Sequence, residues 1–135
     1  MSAMPGSDAT TRVPVRVLVC DDSLVAREML VQILRSDPGI EVVGECVNGR
    51  DAVKRTAELR PDLVTMDIVM PFKSGIEATR EIVKVDPRAV VIMCSALGQE
   101  ALVMEAIEAG ASDFIVKPFK PEDVIAVVKK VLGEG

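Results

Sequence analysis

The chain has 135 residues, of which 49% are hydrophobic and 27% charged, so its composition is that of one folded domain and not of a disordered protein. It contains no His, Trp or Tyr, which excludes Ser-His-Asp and Cys-His nucleophiles, His-ligated metals and a phosphohistidine on this chain. With a formal net charge of −5 and 2% aromatic residues, the chain lacks the basic surface and the stacking platform that nucleic acid requires, so we expect no direct nucleic-acid binding.

Thiols and apolar segments indicate the compartment. Cys20, Cys46 and Cys94 each lie in an apolar run, and no two of them form a C-x-x-C pair, so we expect buried, unpaired thiols in a reducing environment. No segment approaches the roughly 18 consecutive apolar residues of a membrane span, and the N-terminus lacks the basic and apolar regions of a signal peptide. The sequence therefore predicts a cytoplasmic protein without membrane insertion.

Short apolar runs alternate with segments of helical period along most of the chain. Residues 1–14 are small and polar and predict a loose tail, and residues 133–135 predict a second short tail. Strands are predicted at 15–20, 40–46, 62–66, 89–94 and 113–116. Helices are predicted at 23–35, 49–59, 75–85, 99–109 and 121–132.

This rhythm predicts one α/β domain over residues 15–132. The runs VRVLVC and AVVIMC are apolar almost throughout, as strands are when helices cover both faces of a parallel sheet. Ten elements in about 120 residues leave room only for a compact doubly wound sandwich. Local signals agree, because Ser74 and Glu77 form a capping-box pattern, Gly110 suits a helix C-terminus and Pro121 suits a first helical turn.

Polar residues follow the predicted strands, at the sheet edge where ligands bind in open α/β folds. Asp21 and Asp22 follow the first strand, Asp67 the third, Ser95 the fourth and Lys117 the fifth. Each residue alone has an ordinary explanation as a turn, capping or surface residue. Together, these residues predict a single polar site at this edge.

The residue types at this edge suit a particular chemistry. Three neighbouring carboxylates repel one another unless one is protonated, a cation binds or an amine compensates. Oxygen ligands alone select a hard cation, Mg²⁺ before Ca²⁺ or Zn²⁺. A carboxylate beside Mg²⁺, with a hydroxyl and a lysine nearby, suits phosphoryl transfer onto an aspartate.

Four segments resemble the signature blocks of response-regulator receiver domains. These are VRVLVCDDS at 15–23, LVTMDIVMPFKSG at 63–75, VVIMCSALG at 90–98 and GASDFIVKPF at 110–119. Their order and spacing also match, and the resemblance is closest to single-domain chemotaxis regulators of the CheY type. It implies a CheY-like, flavodoxin-like (βα)5 fold with sheet order 2-1-3-4-5, in which the first and third strands are neighbours.

The resemblance also implies roles for the acidic residues. Asp67 would be the phosphorylated residue, and Asp22 and Asp67 would bind Mg²⁺ directly, whereas Asp21 would reach the ion through water. The backbone carbonyl of Val69 would be a further ligand.

The remaining site residues have implied roles in the response to phosphorylation. Ser95 and Lys117 would contact the phosphoryl group, and Ser95 and Phe114 would form the switch. The Lys117–Pro118 peptide bond would be cis, as in the family.

The implied function is a phosphorylation-dependent switch. A histidine kinase, CheA-like in chemotaxis systems, would donate the phosphoryl group, and the face formed by the fourth helix, fifth strand and fifth helix would change its affinity for the flagellar motor switch or another output protein. The chain would act as a monomer and catalyse only its own phosphorylation and dephosphorylation, so it is not predicted to be an enzyme. Val69 and Leu97 are apolar where relatives often carry polar side chains that orient the hydrolytic water, which predicts slow self-dephosphorylation and reliance on a separate phosphatase.

Two alternatives stay open at this point. The chain could be the receiver part of a longer regulator, such as a chemotaxis methylesterase or a DNA-binding regulator. A haloacid-dehalogenase-type phosphatase also uses an aspartyl nucleophile and Mg²⁺, but it needs a second Asp two residues after the nucleophile, where this chain has Val69.

Overall fold

The computed structural model describes residues 13–133. The predicted tails at 1–14 and 133–135 therefore lie almost wholly outside the described residues. Within them, Val13 and Pro14 precede the first strand without regular structure, and Val13 is exposed.

Five strands alternate with five helices. In chain order they are β1 Val15–Cys20, α1 Leu24–Arg35, β2 Ile40–Cys46, α2 Gly49–Leu59, β3 Leu63–Asp67, α3 Gly75–Val85, β4 Val91–Ser95, α4 Glu100–Glu108, β5 Asp113–Val116 and α5 Pro121–Val131. The predicted bounds are confirmed for β1, β2, β5, α2 and α3. The predicted ends of β3 and β4 fall one residue short, so Asp67 and Ser95 are the last residues of their strands and not the first residues of the loops.

Local capping explains where several helices begin and end. Ser23 accepts a hydrogen bond from Ala26 N–H and is the N-cap of α1, so the helix begins one residue later than predicted. Ser74 and Glu77 form the predicted capping box at the start of α3. Gly110 has a φ of +119°, and Pro121 occupies the first turn of α5, as predicted.

The five strands form one parallel sheet in the order β2-β1-β3-β4-β5, which confirms the predicted topology. Because β1 and β3 are neighbours, the residues that follow them meet at the same edge of the sheet. The register continues across the sheet, with Asp67 of β3 level with Cys94 of β4, and Ser95 level with Val116 of β5.

Helices cover both faces of this sheet, which explains why its central strands are mostly apolar on both faces. Successive residues of β1 alternate between two cores: Leu18 packs in one with residues of α2, α3 and α4, and Val19 packs in the other with residues of α1 and α5. The three cysteines are buried in these cores and are free thiols, as expected. Among the described residues, no helix is long and apolar enough to cross a membrane.

Candidate functional site

The three acidic residues converge where β1 and β3 end. Ligand oxygens of Asp21, Asp22 and Asp67 all lie within 4.8 Å of one another. Asp21 is 2% exposed and Asp67 is 9% exposed, whereas Asp22 is open to solvent. Two of the three carboxylates are therefore almost removed from water, where mutual repulsion is strong.

Lys117 brings a positive charge into this cluster. Its Nζ lies 2.9 Å from Asp21 Oδ2 and 3.3 Å from Asp67 Oδ1, so one ammonium bridges the ends of β1 and β3. The approach to Asp21 Oδ2 is close enough for an ion pair, yet this buried oxygen has no well-aligned hydrogen bond. An amine thus compensates part of the acidic charge, and one buried lone-pair site stays available.

The surroundings alter the ionisation of both partners. Burial, together with the negative charge of Asp21, raises the pKa of Asp67 to about 6, although Lys117 opposes the shift. Burial lowers the pKa of the Lys117 ammonium, but its close contact with the Asp21 carboxylate and the charge of Asp67 outweigh this effect, so that its pKa lies above the usual value. Asp67 is therefore ionised at neutral pH at an energetic cost, and Lys117 stays protonated.

The donor set fits a hard divalent cation. Three carboxylates supply oxygen ligands at one edge, and the buried Asp21 Oδ2 has an ion pair with Lys117 but no well-aligned hydrogen bond. Mg²⁺ binds through one or two carboxylates and keeps several waters, which agrees with a cluster that has one solvent-exposed member. The residues present therefore fit Mg²⁺.

Removing the charge of Asp67 should stabilise the protein in the absence of Mg²⁺. The folded-state pKa of about 6 exceeds the ordinary value of 3.8, so the ionised carboxyl destabilises the fold above pH 6, and this cost vanishes once both states are protonated below 3.8. We expect Asp67→Asn to raise the free energy of unfolding by about 1–3 kcal/mol at pH 8, and by less as the pH falls from 6 towards 4.

Urea unfolding in EDTA, followed by circular dichroism, measures this effect. Asp123→Asn is the control, because Asp123 is exposed in the first turn of α5. A stabilisation by Asp67→Asn that is the same at pH 8 and pH 4.5 would contradict the raised pKa of Asp67 as its cause.

Backbone contacts hold the acids in place. Asp21 N–H donates to the Cys46 carbonyl at 3.0 Å, and Ser23 N–H donates to Asp21 Oδ1 at 2.8 Å. Ile68 N–H donates to Asp67 Oδ1 at 3.0 Å. With Lys117 also at Oδ1, none of the described residues donates to Asp67 Oδ2, which makes Oδ2 the more available oxygen.

Sequence reasoning missed Arg27, which reaches the same cluster from α1. Its Nη1 donates to the Asp21 carbonyl at 2.8 Å, and its Nε pairs with Glu45 Oε1 at 2.9 Å. The only local signal is a basic residue six positions after Asp21 in a mostly apolar helix, and that signal does not reveal a contact with β2.

The other predicted residues lie beside the acidic cluster or on the next strands. Ser95 is buried at the end of β4, and its carbonyl accepts from Lys117 N–H at 2.7 Å. The Lys117–Pro118 peptide bond is cis. Val69 and Leu97 are exposed in the loops after β3 and β4.

Phe114 lies outside the acidic cluster, three residues before Lys117 on β5, and is 41% exposed. It lines a cavity of about 260 Å³ between α4 and β5. Ser95, Leu97 and Met104 line the same cavity, so this space joins the end of β4 to the Phe114 ring.

The response regulator receiver domain matches residues 17–129, and the chain belongs to this family. It is a phosphorylation-dependent receiver switch of the CheY type that functions in chemotaxis, with the acidic pocket formed by Asp21, Asp22 and Asp67. This membership sets aside the phosphatase alternative, in agreement with the apolar Val69 two residues after Asp67.

Individual relatives support the same assignment. The chain is 55% identical to the chemotaxis protein CheY of Thermotoga maritima, over 86% of this chain and 96% of that protein. It is 50% identical to a protein-glutamate methylesterase/protein-glutamine glutaminase of Nocardioides sp., but over 29% of that protein's length. The CheX-CheY-BeF3-Mg complex from Borrelia burgdorferi contains a chain with a TM-score of 0.84 and 38% identity, covering 91% of this chain and 92% of that chain.

Proposed function

We propose that Asp67 accepts a phosphoryl group with the help of Mg²⁺, and that the observation carrying this proposal is the Lys117 ammonium between Asp21 and Asp67 inside a three-carboxylate cluster. Asp21, Asp22, Asp67 and the carbonyl of Val69 would hold the ion. Bound Mg²⁺ supplies positive charge against the phosphoryl oxygens during transfer.

The transfer step uses a carboxylate oxygen of Asp67, and Oδ2 is the less engaged one. This oxygen forms a bond to phosphorus while the bond from phosphorus to the donor breaks, and the donor atom keeps that electron pair. The donor is the imidazole of a phosphohistidine on a kinase, since this chain has no His, or the carboxylate of acetyl phosphate. Lys117 and the Ser95 hydroxyl then contact the new phosphoryl group.

Incubation with acetyl phosphate and Mg²⁺, followed by intact-mass measurement, tests this assignment. Wild type should gain one phosphoryl group, and Asp67→Asn should gain none, because an amide oxygen is a poor nucleophile. The exposed-site variant Asp123→Asn should react like wild type. A phosphate adduct on Asp67→Asn in equal yield would refute the assignment.

Coupling to the output face runs through Ser95 and Phe114 in this proposal. Charge added at Asp67 draws the Ser95 side chain towards the phosphoryl group, and the cavity shared by Ser95, Met104 and Phe114 gives the ring room to turn inward. A switch responds only to differential contacts in its two states, and the contacts of Ser95 and Lys117 supply that difference. The surface of α4, β5 and α5 would then change its affinity for a flagellar motor switch or another output protein.

Exposed apolar side chains around the acidic edge support the docking of a kinase domain. They lie in the first turn of α1 and in the segments that follow β2, β3 and β4: Leu24, Val25, Val47, Val69, Phe72 and Leu97. A phosphohistidine must approach Asp67 closely, and apolar contacts around the transfer point would hold its domain there. We place this exchange in the cytoplasm, and the same receiver unit would serve within a longer methylesterase-type regulator.

The exposed apolar side chains of the loops after β3 and β4 also affect the lifetime of the phosphorylated state. Neither the Val69 nor the Leu97 side chain has a polar atom that could orient the hydrolytic water, so self-dephosphorylation should be slow and a separate phosphatase would be needed. We expect Val69→Asn to shorten the half-life about fivefold, the effect of one hydrogen bond of about 1 kcal/mol in the transition state. Decay of the phosphorylated mass after donor removal measures it, with Val85→Asn as the exposed control; equal half-lives would argue against this role.

A further inference from the structure

Arg27 is a largely buried cation that joins three parts of the fold. It lies on α1, and its side chain is 13% exposed. Its Nη1 donates to the backbone carbonyl of Asp21 at 2.8 Å, and its Nε pairs with Glu45 on β2 at 2.9 Å. The guanidinium therefore ties the β1–α1 turn to the neighbouring strand.

The carbonyl that Arg27 holds belongs to the peptide group between Asp21 and Asp22. This peptide is planar, so a bond to its oxygen limits rotation of the whole group and sets the relative direction of the two carboxylates. The Asp21 side chain has its own restraints from Ser23 N–H and Lys117. Among the described residues, no side-chain hydrogen bond or ion pair holds Asp22, so its orientation depends on this peptide.

We propose that Arg27 is a positioning residue for the cation site, acting through the Asp21–Asp22 peptide. The inference rests on the proposed Mg²⁺ site and adds a residue that does not touch the ion. Hydrogen-bonded residues behind the ligands of metal sites orient those ligands, and their loss weakens metal binding by about 10- to 100-fold.

An electrostatic role and a positioning role of Arg27 predict opposite changes in Mg²⁺ affinity when the residue is removed. Arg27 carries a positive charge beside the Asp21 backbone, so its removal would strengthen cation binding at the acidic cluster if charge were its only influence. Removal should weaken binding if the residue orients Asp22. A purely structural role in α1 would change thermal stability and leave the Mg²⁺ affinity of the folded protein unchanged.

Isothermal titration calorimetry of the whole chain with Mg²⁺ measures the Kd that separates these roles. We expect Arg27→Met to raise the Mg²⁺ Kd about tenfold. Glu45→Gln is the matched control, because it removes the charge paired with Arg27 and keeps the bond to the Asp21 carbonyl; its Kd should stay within about twofold of wild type. In the metal-free protein, the amide NMR signals of Asp22 and Ser23 should shift in Arg27→Met and not in Glu45→Gln.

An Arg27→Met protein that folds and binds Mg²⁺ as tightly as wild type, or more tightly, overturns the inference. If Arg27→Met does not fold by circular dichroism, Arg27→Lys decides, because its single ammonium is drawn to the Glu45 carboxylate and leaves the carbonyl; an unchanged Kd then overturns the proposal. Wild type that shows neither saturable Mg²⁺ binding nor a phosphoryl adduct refutes the proposed function itself, whatever the variants do.

Discussion

Gly75→Ala is expected to destabilise the protein by about 3 kcal/mol or more. A Cβ atom at Gly75 would lie 1.8 Å from the carbonyl oxygen of Asp67 and 2.9 Å from its carbonyl carbon. Both atoms are backbone, so relief requires a movement of β3 or of the start of α3. The close approach is built in, since Gly75 N–H donates to the Ile68 carbonyl at 2.7 Å.

The sign of the change in the free energy of unfolding shows whether the tertiary contact or the helix propensity dominates at Gly75. Gly75 is the first residue of α3, and Ala in place of Gly favours a helix by up to about 1 kcal/mol. Local propensity therefore predicts stabilisation, whereas the contact with Asp67 predicts a larger destabilisation. Any folded fraction in which β3 has moved should also bind Mg²⁺ more weakly, because Asp67 is one of the three clustered carboxylates.

Urea unfolding of the variant measures the change in the free energy of unfolding. Gly39→Ala is the control, because a Cβ there would meet only the Asp37 side chain, at 3.2 Å, in the turn before β2. We expect this control to change stability by less than about 1 kcal/mol. A Gly75→Ala protein as stable as wild type would mean that α3 and β3 separate at little cost.

Lys117→Gln is expected to destabilise the protein by about 2–4 kcal/mol in the absence of Mg²⁺. The variant leaves Asp21 and Asp67 buried beside each other without the ammonium that lies 2.9 Å and 3.3 Å from them. Removing one partner from a buried ion pair is costly because the charge that stays behind is uncompensated. Mg²⁺ should recover most of the loss, since a cation can replace the missing positive charge.

Thermal unfolding with EDTA and with saturating Mg²⁺ measures both parts of this prediction. Lys130→Gln is the matched control: Lys130 also pairs with an acid, Asp113, at 3.4 Å, but its side chain is 76% exposed against 23% for Lys117. An exposed pair contributes at most about 1 kcal/mol, so this variant should remain close to wild type in both conditions. If Lys117→Gln lowers the stability by the same amount with and without Mg²⁺, the result would count against a site in which Lys117 and Mg²⁺ compensate the same carboxylates.

The success of the fold prediction has a local cause. Apolar runs of about five residues alternate with segments of about eleven residues that have a helical pattern. Pro, Gly and capping residues separate them, so the elements and their order can be read from the sequence. The nearly continuous apolar runs of β1 and β4 indicate helices on both faces. The one-residue errors at the ends of β3 and β4 arise because Asp67 and Ser95 are polar, yet each continues the ladder of its neighbours through Cys94 and Val116.

The site also contains residues that the sequence could predict and residues that it could not. Motif positions and the resemblance were sufficient to propose Asp21, Asp22, Asp67, Ser95 and Lys117, because each stands at the end of a recognisable strand or within two residues after it. They did not reveal Arg27, whose contacts with Asp21 and Glu45 lie in different elements. Nor did they reveal that Gly75 touches the carbonyl of Asp67.

The sequence by itself determined that this chain contains an α/β receiver unit with acids at one edge, and that the chain has no histidine. Only the tertiary structure decided that one ammonium bridges the ends of β1 and β3, that burial raises the pKa of Asp67 to about 6, and that one buried oxygen of Asp21 lacks a hydrogen bond. The reason is physical, because residue order sets only the local conformation. The distances between groups far apart in sequence, and the burial of those groups, arise only when the strands pair into the sheet and the helices pack against it.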